Sequence, residues 1–584
     1  MIMEENNKFL DSLEHSYKLI KSEMRLSTEA SIEELCKVLL LKLCFERKNN
    51  SRFLPFVDDL KANTEPVSSF YRRYYETYAS HLGFIGWESQ MLSKDVFWRI
   101  CEGLSKSAFT DSNLSMYGSA FSAFLQKHYA GYLSEYSTPE KLNSFILEVL
   151  GYDKISNMVD PCCGLGGTLI EAAKKCKENI VLKGFDIYPR MANTAKLHMM
   201  MYGYGPDIVE CADIMNGAQV CIIDQFDYIV AHLPQTHQAF SLAGRQYAFD
   251  KMLARTQEDF IIGQLLKILR PEGIAAIVVS DGYLEADKRY ESRRWLYENA
   301  QVINITKFEG LKYEGGDNAR PYNVVFLKKM RFPGSDVCSA AYIGVNDGVD
   351  KIKEVALSIK NDIYGIPNQN TKEAIRYFRL MEQRTWNITL LFLQEKMGNN
   401  YPIVPLRALM VHRRERVEIY DYEEYSQLTV RNKGLGVERR GEPVKGINLS
   451  KDAKYIAHRG QLIVSSLEAS KGAIGIVPKE LDYSVVTSNY YLFSIDSGRV
   501  DYDYLALVMS TEPVLNQMKV LNKHEYAMAR ITIEKILSVV IPLPDLDTQR
   551  RLSKMMMKKV KKVQNAQEEL DLEQKKFMKE VFGE

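Results

Sequence analysis

The chain has 584 residues, too many for one hydrophobic core, and at about 150 residues per domain three or four units are expected. Its 26% charged and 46% apolar residues are the composition of a soluble globular protein, and no window offers the roughly 18 uninterrupted apolar residues of a membrane span. The net charge of +1 excludes a nonspecific polycation but allows a local basic surface balanced by acidic segments elsewhere.

Met1 to Asn7 are acidic and polar, unlike a signal peptide, so a cytoplasmic protein is expected. Residues 1–125 read as a helical N-terminal domain: "SIEELCKVLLLKLCFER" (Ser31 to Arg47) carries apolar residues at helical spacing, and "VSSFYRRYYETYASHLGFIGW" continues it. The mixture Tyr71, Arg72, Arg73, Tyr74 and Tyr75 suits contact with nucleic acid or an amphipathic helix with a solvated basic face, and the second reading is preferred. The nine cysteines show no C-x-x-C spacing, which predicts reduced, mostly buried thiols and neither a zinc site nor a disulfide framework.

In residues 126–335 the pattern switches to short apolar runs, "NMVD", "IVLKGFD", "FDYIVAHL", "IAAIVVS", "VINITKF" and "YNVVFLKK", alternating with helices such as "GTLIEAAKKC" and "DFIIGQLLKIL". The alternation predicts a Rossmann-like α/β domain with a parallel sheet, whose ligands sit beyond the carboxyl ends of the strands. Residues 336–400 are expected to form a helical connector, and 401–545 an α+β domain of short strands broken by Gly, Asn and Pro. Residues 546–584 are a long helix. Leu552, Met556, Val560, Val563, Ala566 and Leu570 recur on it every three or four residues, a seam that calls for a partner. Its basic run Lys554 to Gln564 suits DNA phosphate or, preferably, a solvated face.

The strongest chemical signal is "MVDPCCGLGGTLIEAA", Met158 to Ala173. A strand ends in Asp160, a glycine-rich turn follows (Gly164, Gly166, Gly167), and a helix begins. Glycine lets the backbone approach a ligand, and the helix N-terminus offers unpaired N–H groups. A second strand, "VLKGFD", ends in Asp186, placed to accept both hydroxyls of a ribose. Asp213 in "CADIMNG" is spaced to meet an adenine ring. Structural capping by Asp160 and Asp213 is the alternative, and nucleoside-cofactor binding is preferred.

This stretch resembles the S-adenosylmethionine motif of N6-adenine DNA methyltransferases, in particular the modification subunit of type I restriction systems. The resemblance implies S-adenosyl-L-methionine as cofactor, held around Asp160, Pro161, Gly164, Gly166, Asp186 and Asp213. Upstream "SEYSTPEKLNSFI" is similar to the family's Tyr-Thr-Pro segment, which implies that Tyr136, Thr138 and Pro139 lie beside the methionine end. The match runs from Ser31 to Met330, including "EDFIIGQLLKILRPEGIAAIVVSDGYL" and "RRWLYENAQVINITKF".

The departure lies in "FDYIVAHLPQ", Phe226 to Gln235. There the family carries Asn-Pro-Pro-aromatic: the Asn oxygen and a backbone carbonyl accept from the adenine amino group, the prolines fix the carbonyl, and the ring stacks on the flipped base. Here His232 replaces Asn, Leu233 and Pro234 stand for the prolines, and Gln235 replaces the ring. A neutral His232 can still accept one hydrogen bond, but Gln235 gives up stacking worth about 1–3 kcal/mol per base. His237, Phe240 or Tyr247 are nearby rings that could substitute. Impaired or lost methyl transfer is expected, and an active variant loop is the alternative.

The C-terminal part, from "AHRGQLIVSSLEASKGAIGIVPKELDYSVVTSNYYLFSID" to "ITIEKILSVVIPLPDLDTQRRL", is similar to one target-recognition domain of a type I specificity subunit and its helix. In "IPLPDLDTQ" the prolines fix an extended exit into a helix that Asp547 is expected to cap. The similarity implies double-stranded DNA as partner. The expected contacts are the loop residues Arg413, Arg414, Arg416, Arg431, Lys433, Arg439, Arg440, Lys445, Lys471, Lys523 and Arg530. A specificity subunit has two such domains and this chain has one, which suggests a homodimer on a split site, or a complex with other restriction or defence subunits through the C-terminal helix. Two functions remain: a site-specific DNA adenine methyltransferase, or a DNA-binding module on the same scaffold.

Overall fold

The computed structural model describes residues 2–129, 138–176, 179–214, 216, 224–234, 256–312, 319–330, 335–366, 375–382, 385–395, 397, 400–450, 453–522 and 530–583. They form two compact units, Met1–Ile388 and Thr389–Glu584. No helix among the described residues is long and apolar enough to cross a membrane.

The first unit begins with helices α1 (Ile2–Met24), α2 (Thr28–Asn49), α3 (Leu54–Ala62), α4 (Val67–Tyr78), α5 (Lys94–Ser105) and α6 (Leu114–Tyr129). Ser27 caps α2 through Ala30 N, and α2 is buried on most of its circumference, charges included. Burial of charge is tolerated because each is paired. Lys42 Nζ reaches Glu46 Oε1 and Ser107 O, both at 2.6 Å, and lies 4.2 Å from the Phe109 ring centre. Glu46 in turn accepts from Phe53 N and Phe109 N, each at 2.8 Å. Burial pushes the Lys42 pKa down to about 8. Stripping one partner from such a buried pair typically costs about 3–5 kcal/mol. On α4, Tyr71 and Tyr75 are buried in the core, while Arg72 and Arg73 are exposed and Arg73 is paired with Glu65 at 2.8 Å, the two faces of an amphipathic helix.

Next come α7 (Glu140–Leu150), β1 (Asn157–Asp160), α8 (Gly167–Lys175), β2 (Val181–Asp186), α9 (Pro189–Met201), β3 (Val209–Cys211), β4 (Phe226–His232), α10 (Gln257–Ile268) and β5 (Leu269–Val279). They are followed by α11 (Asp281–Glu285), α12 (Tyr290–Asn299), β6 (Ala300–Lys312), β7 (Ala319–Lys329), β8 (Val337–Ile343), α13 (Val349–Tyr364) and β9 (Ile375–Arg379). The described strands make one nine-stranded sheet in the order β3-β2-β1-β4-β5-β7-β6-β8-β9.

Two expectations are corrected here. The sheet is mixed and not all parallel: β7 runs antiparallel to both β5 and β6. β6 and β7 are separated by only a short connection, which can join only antiparallel neighbours, so β7 inserts between β5 and β6. The expected helical connector contributes β8, parallel to β6, and β9, antiparallel to β8. Its buried residues include Cys338, Ser339, Ala340 and Ala341, too small to announce a strand by β-branched bulk.

The helical bundle and the sheet share one unit because α9 is gripped by the bundle. Asn193 exchanges two bonds with the Ile85 backbone, at 3.1 and 2.7 Å, and Arg190 pairs with Glu33 at 2.6 Å.

The second unit begins within α14 (Ile388–Glu395) and contains strands β10 (Ile403–Pro405), β11 (Met410–His412), β12 (Glu415–Arg416), β13 (Glu424–Tyr425), β14 (Leu428–Val430), β15 (Val437–Arg439) and β16 (Val444–Lys445). Strands β17 (Ala453–Ala457), β18 (Leu462–Ser465), β19 (Ile474–Ile476), β20 (Ser484–Thr487) and β21 (Tyr490–Ile495) precede helices α15 (Tyr502–Met509), α16 (Glu512–Leu521) and α17 (Ile533–Ser538). The chain closes with β22 (Val540–Pro542) and α18 (Leu546–Phe582). Two small antiparallel sheets, β11-β21-β18-β19 and β12-β17-β20, carry the strand framework. The cap of α18 is Asp545, accepting from Thr548 N, and not Asp547, which is already the second residue of the helix. Gln549 and Ser553 are buried against Asp501 of α15, so α18 starts by folding back on its own unit.

Candidate functional site

At the carboxyl rim of the sheet, β1 ends in Asp160 and the chain turns through Gly164 and Gly166 into α8. Gly166 has φ +80°, a conformation that an L side chain would strain, and its N–H closes the turn on Cys163 O at 2.7 Å. The loop is fastened to β2 twice: Cys163 N donates to Phe185 O at 2.9 Å, and Gly164 N donates to Asp186 Oδ2 at 3.0 Å. The other oxygen of Asp186 accepts Tyr188 N at 2.9 Å, and Asp160 accepts Cys162 N at 3.2 Å. Asp186 therefore orders the glycine turn, a role that sequence reading did not give it.

Both carboxylates are buried, and burial raises them, Asp160 to about 7 and Asp186 to about 6, with the Asp186 charge adding to the rise at Asp160. Ala212 N donates to Asp186 O at 3.0 Å, carrying the chain from β3 to Asp213 at the same rim. The three acids converge on Cys162, whose thiol is raised well above its ordinary range by burial and then by Asp160, Asp186 and Asp213. Buried acidic groups gathered at a glycine turn suit a ligand carrying positive charge and hydroxyls, as the sulfonium nucleoside expected from the sequence does.

The rear of the turn is held by a residue the sequence did not single out. His198 on α9 donates from Nδ1 to Leu165 O at 2.8 Å, and Ser122 on α6 lies 2.6 Å from its Nε2. Burial pushes His198 down to about 4, so the ring is neutral and the Ser122 hydroxyl is the donor. A 230 Å³ cavity lined by Ser122, Gln126, Thr138, Leu165, Gly167 and His198 lies beside this contact.

In the strand next to β1, β4 delivers His232 as its last residue. Its Nδ1 is 3.0 Å from Thr138 Oγ1, beside Pro139, which starts α7. Surrounding protein pushes His232 down to about 4, so it is neutral near pH 7. Leu233 is buried, and its N–H donates to Val278 O at 3.1 Å, a bond that proline cannot make. This bond extends the β4–β5 ladder one residue further and fixes the start of the loop where the family pattern would use a ring. Tyr322 of β7 sets its ring edge-on to His232, with centres 5.7 Å apart. It lies too far along the chain to be suspected from sequence. Pro234 follows, half-buried. Tyr136, Gln235, His237, Phe240 and Tyr247 lie outside the described residues.

In the second unit, the expected basic contacts divide. Arg431 is held by Glu438 at 2.6 Å and Lys471 by Glu468 at 3.0 Å, so these two charges are already partnered. Arg413, Arg414, Arg416, Lys433, Arg439, Arg440, Lys445 and Arg530 are exposed. Lys433 N donates to Lys471 O at 2.9 Å, bringing two separate loops together. Lys523 lies outside the described residues.

Residues 114–338 match the family model described as N-6 DNA Methylase. The fold is similar to that of the type I restriction-modification system methyltransferase subunit from Streptococcus thermophilus, at 13% identity and TM-score 0.50, covering 66% of this chain and 99% of that one. It is also similar to a chain in a structure titled for complex assembly and conformational transition of the type I R-M system, at 13% identity and TM-score 0.51, covering 65% of this chain and 89% of that one. The type IIG restriction endonuclease BpuSI aligns at 12% identity and TM-score 0.46, over 94% of this chain and 74% of that one.

The raised Asp160 has a consequence for stability. Its folded pKa lies above the unfolded value of about 3.9, so the native state binds more protons between the two, and stability falls as pH rises from about 4 to about 7. Asp160→Asn cannot ionise. Urea unfolding at a series of pH values should show a smaller decline across that window for the variant, and an unchanged decline would contradict the assignment.

Proposed function

We propose that this chain, whose residues 114–338 form an N-6 DNA methylase domain, is a cytoplasmic, sequence-specific DNA-binding protein of restriction-modification or phage-defence type. In this reading the S-adenosyl-L-methionine site and target recognition are kept, while methyl transfer is impaired or lost. Supporting the cofactor site are the ordered glycine turn and the acids gathered at its mouth. Asp186 and Asp213 would take the ribose and the adenine, and Thr138 and Pro139 would lie at the methionine end. When bound, S-adenosyl-L-methionine supplies a methyl group activated by its sulfonium.

The observation that carries the reading is the rim residue His232. Transfer to an adenine amine needs two acceptors aligned on its nitrogen and a ring to hold the base. With Nδ1 of His232 engaged by Thr138, the side chain can serve as its one acceptor only through Nε2, in place of an amide oxygen, and Gln235 offers no stacking face. One observation favours the alternative of an active His-Leu-Pro-Gln loop: a neutral ring oriented by Thr138 can present Nε2 as a fixed acceptor.

The second unit is proposed as the target-recognition domain for duplex DNA, on the strength of its exposed loop cations. Beyond its first two turns, α18 is unpartnered among the described residues. Met556, Val560, Val563, Leu570, Phe577 and Val581 fall on heptad positions, and five of them are 45–61% exposed. The basic run 554–562 and the acidic stretch 568–573 favour an antiparallel pairing of two copies, which would set two readers on one site.

Two experiments test this function. With labelled S-adenosyl-L-methionine and a duplex pool that the protein binds, no adenine methylation is expected, and incorporation that vanishes in His232→Ala would establish the active alternative. In sedimentation at micromolar concentration the protein should be a dimer and Leu570→Asp with Phe577→Asp a monomer. A monomeric wild type would remove the dimer from the account.

A further inference from the structure

One arginine of the second unit is set apart from the other loop cations. Arg414, in the link between β11 and β12, lies 4.6 Å from the Tyr455 ring centre on β17 and 5.3 Å from that of Tyr491 on β21. One guanidinium nitrogen makes a long contact of 3.5 Å to Ser488 O. Arg431 and Lys471 are held by carboxylates, whereas Arg414 has no ion-pair partner among the described residues. The guanidinium plane is thus held by two aromatic faces, with its donors left over for something else.

The neighbourhood is polar and incomplete. His412 Nε2, Ser466 Oγ and Asn489 Oδ1 are shielded from water and have no hydrogen-bond partner among the described residues. Backbone bonds tie these positions together: Ser466 N donates to Asn489 O at 2.7 Å, and Ile531 N donates to Ser466 O at 2.9 Å. The second bond brings exposed Arg530, far along the chain, to the same patch. Burial and then the Arg414 charge push His412 down, so its ring is neutral there.

A phosphate offers only acceptors and leaves Asn489 Oδ1 unsatisfied, whereas a G·C pair presents two acceptors on guanine and a donor, the N4 amine of its cytosine, side by side. A mobile side chain is enough to contact phosphate, but reading a base needs a fixed planar fork. Guanine O6 and N7 match that fork with two parallel bonds. We propose that Arg414 reads a guanine in the major groove, with Arg413 and Arg416, which no aromatic pair clamps among the described residues, on flanking phosphates. This rests on the second unit being a DNA target-recognition domain.

Selection of bound duplexes from a randomised pool by the full chain, followed by sequencing, tests it. The wild type should enrich a motif containing guanine. Arg414→Lys keeps the charge and loses the fork, so one guanine position should lose roughly ten- to a hundred-fold of its preference while the other positions and the salt dependence stay unchanged. Tyr455→Leu, which removes half the clamp, should weaken the same position. Arg416→Ala should instead weaken all sequences alike and lower the slope of log affinity against log salt by about 1. A motif that Arg414→Lys leaves intact, or weakens evenly, overturns the proposal alone. A wild type that enriches no motif overturns the recognition domain and the proposal with it.

Discussion

The Asp186 carboxylate is the point on which the rim of the first unit depends. One oxygen holds Gly164 N and the other Tyr188 N, so a single side chain at the end of β2 fixes the glycine turn and the entry to α9. Burial raises its pKa, and the two N–H donors are what make its charged form tolerable there. From the same turn, Leu165 O continues to His198 and Ser122, linking the glycine loop to the helical bundle. The bundle is therefore structural support for the site and not a detachable preface to it.

Beside this ordered mouth lies the end of β4. His232 is fastened to Thr138, and Leu233 supplies a ladder bond in place of a proline constraint. His232 and Leu233 are well accommodated physically: neither leaves a buried side-chain group without a partner among the described residues.

Much of this was legible in the chain because its marks are local. A glycine turn after an apolar run, acids at strand ends, and a proline exit into a capped helix each announce themselves within a few residues. What escaped detection depends on distant partners or on weak local signals. Tyr322 meets His232 only through the β5–β7–β6 arrangement, and His198 meets Leu165 only because α9 lies against the turn. Strand β8 was hidden by its small residues. Among the loop cations, composition could not tell Arg431, consumed by Glu438, from Arg414, clamped by two tyrosines on separate strands.

The central claim is that the cofactor site survives beside an altered catalytic loop, and calorimetric titration of the full chain with S-adenosyl-L-methionine addresses it directly. Saturable binding is expected, weakened at least about tenfold in Asp186→Asn, which loses one loop bond and the charge. No saturable binding by the wild type, or equal binding by both proteins, would contradict the account.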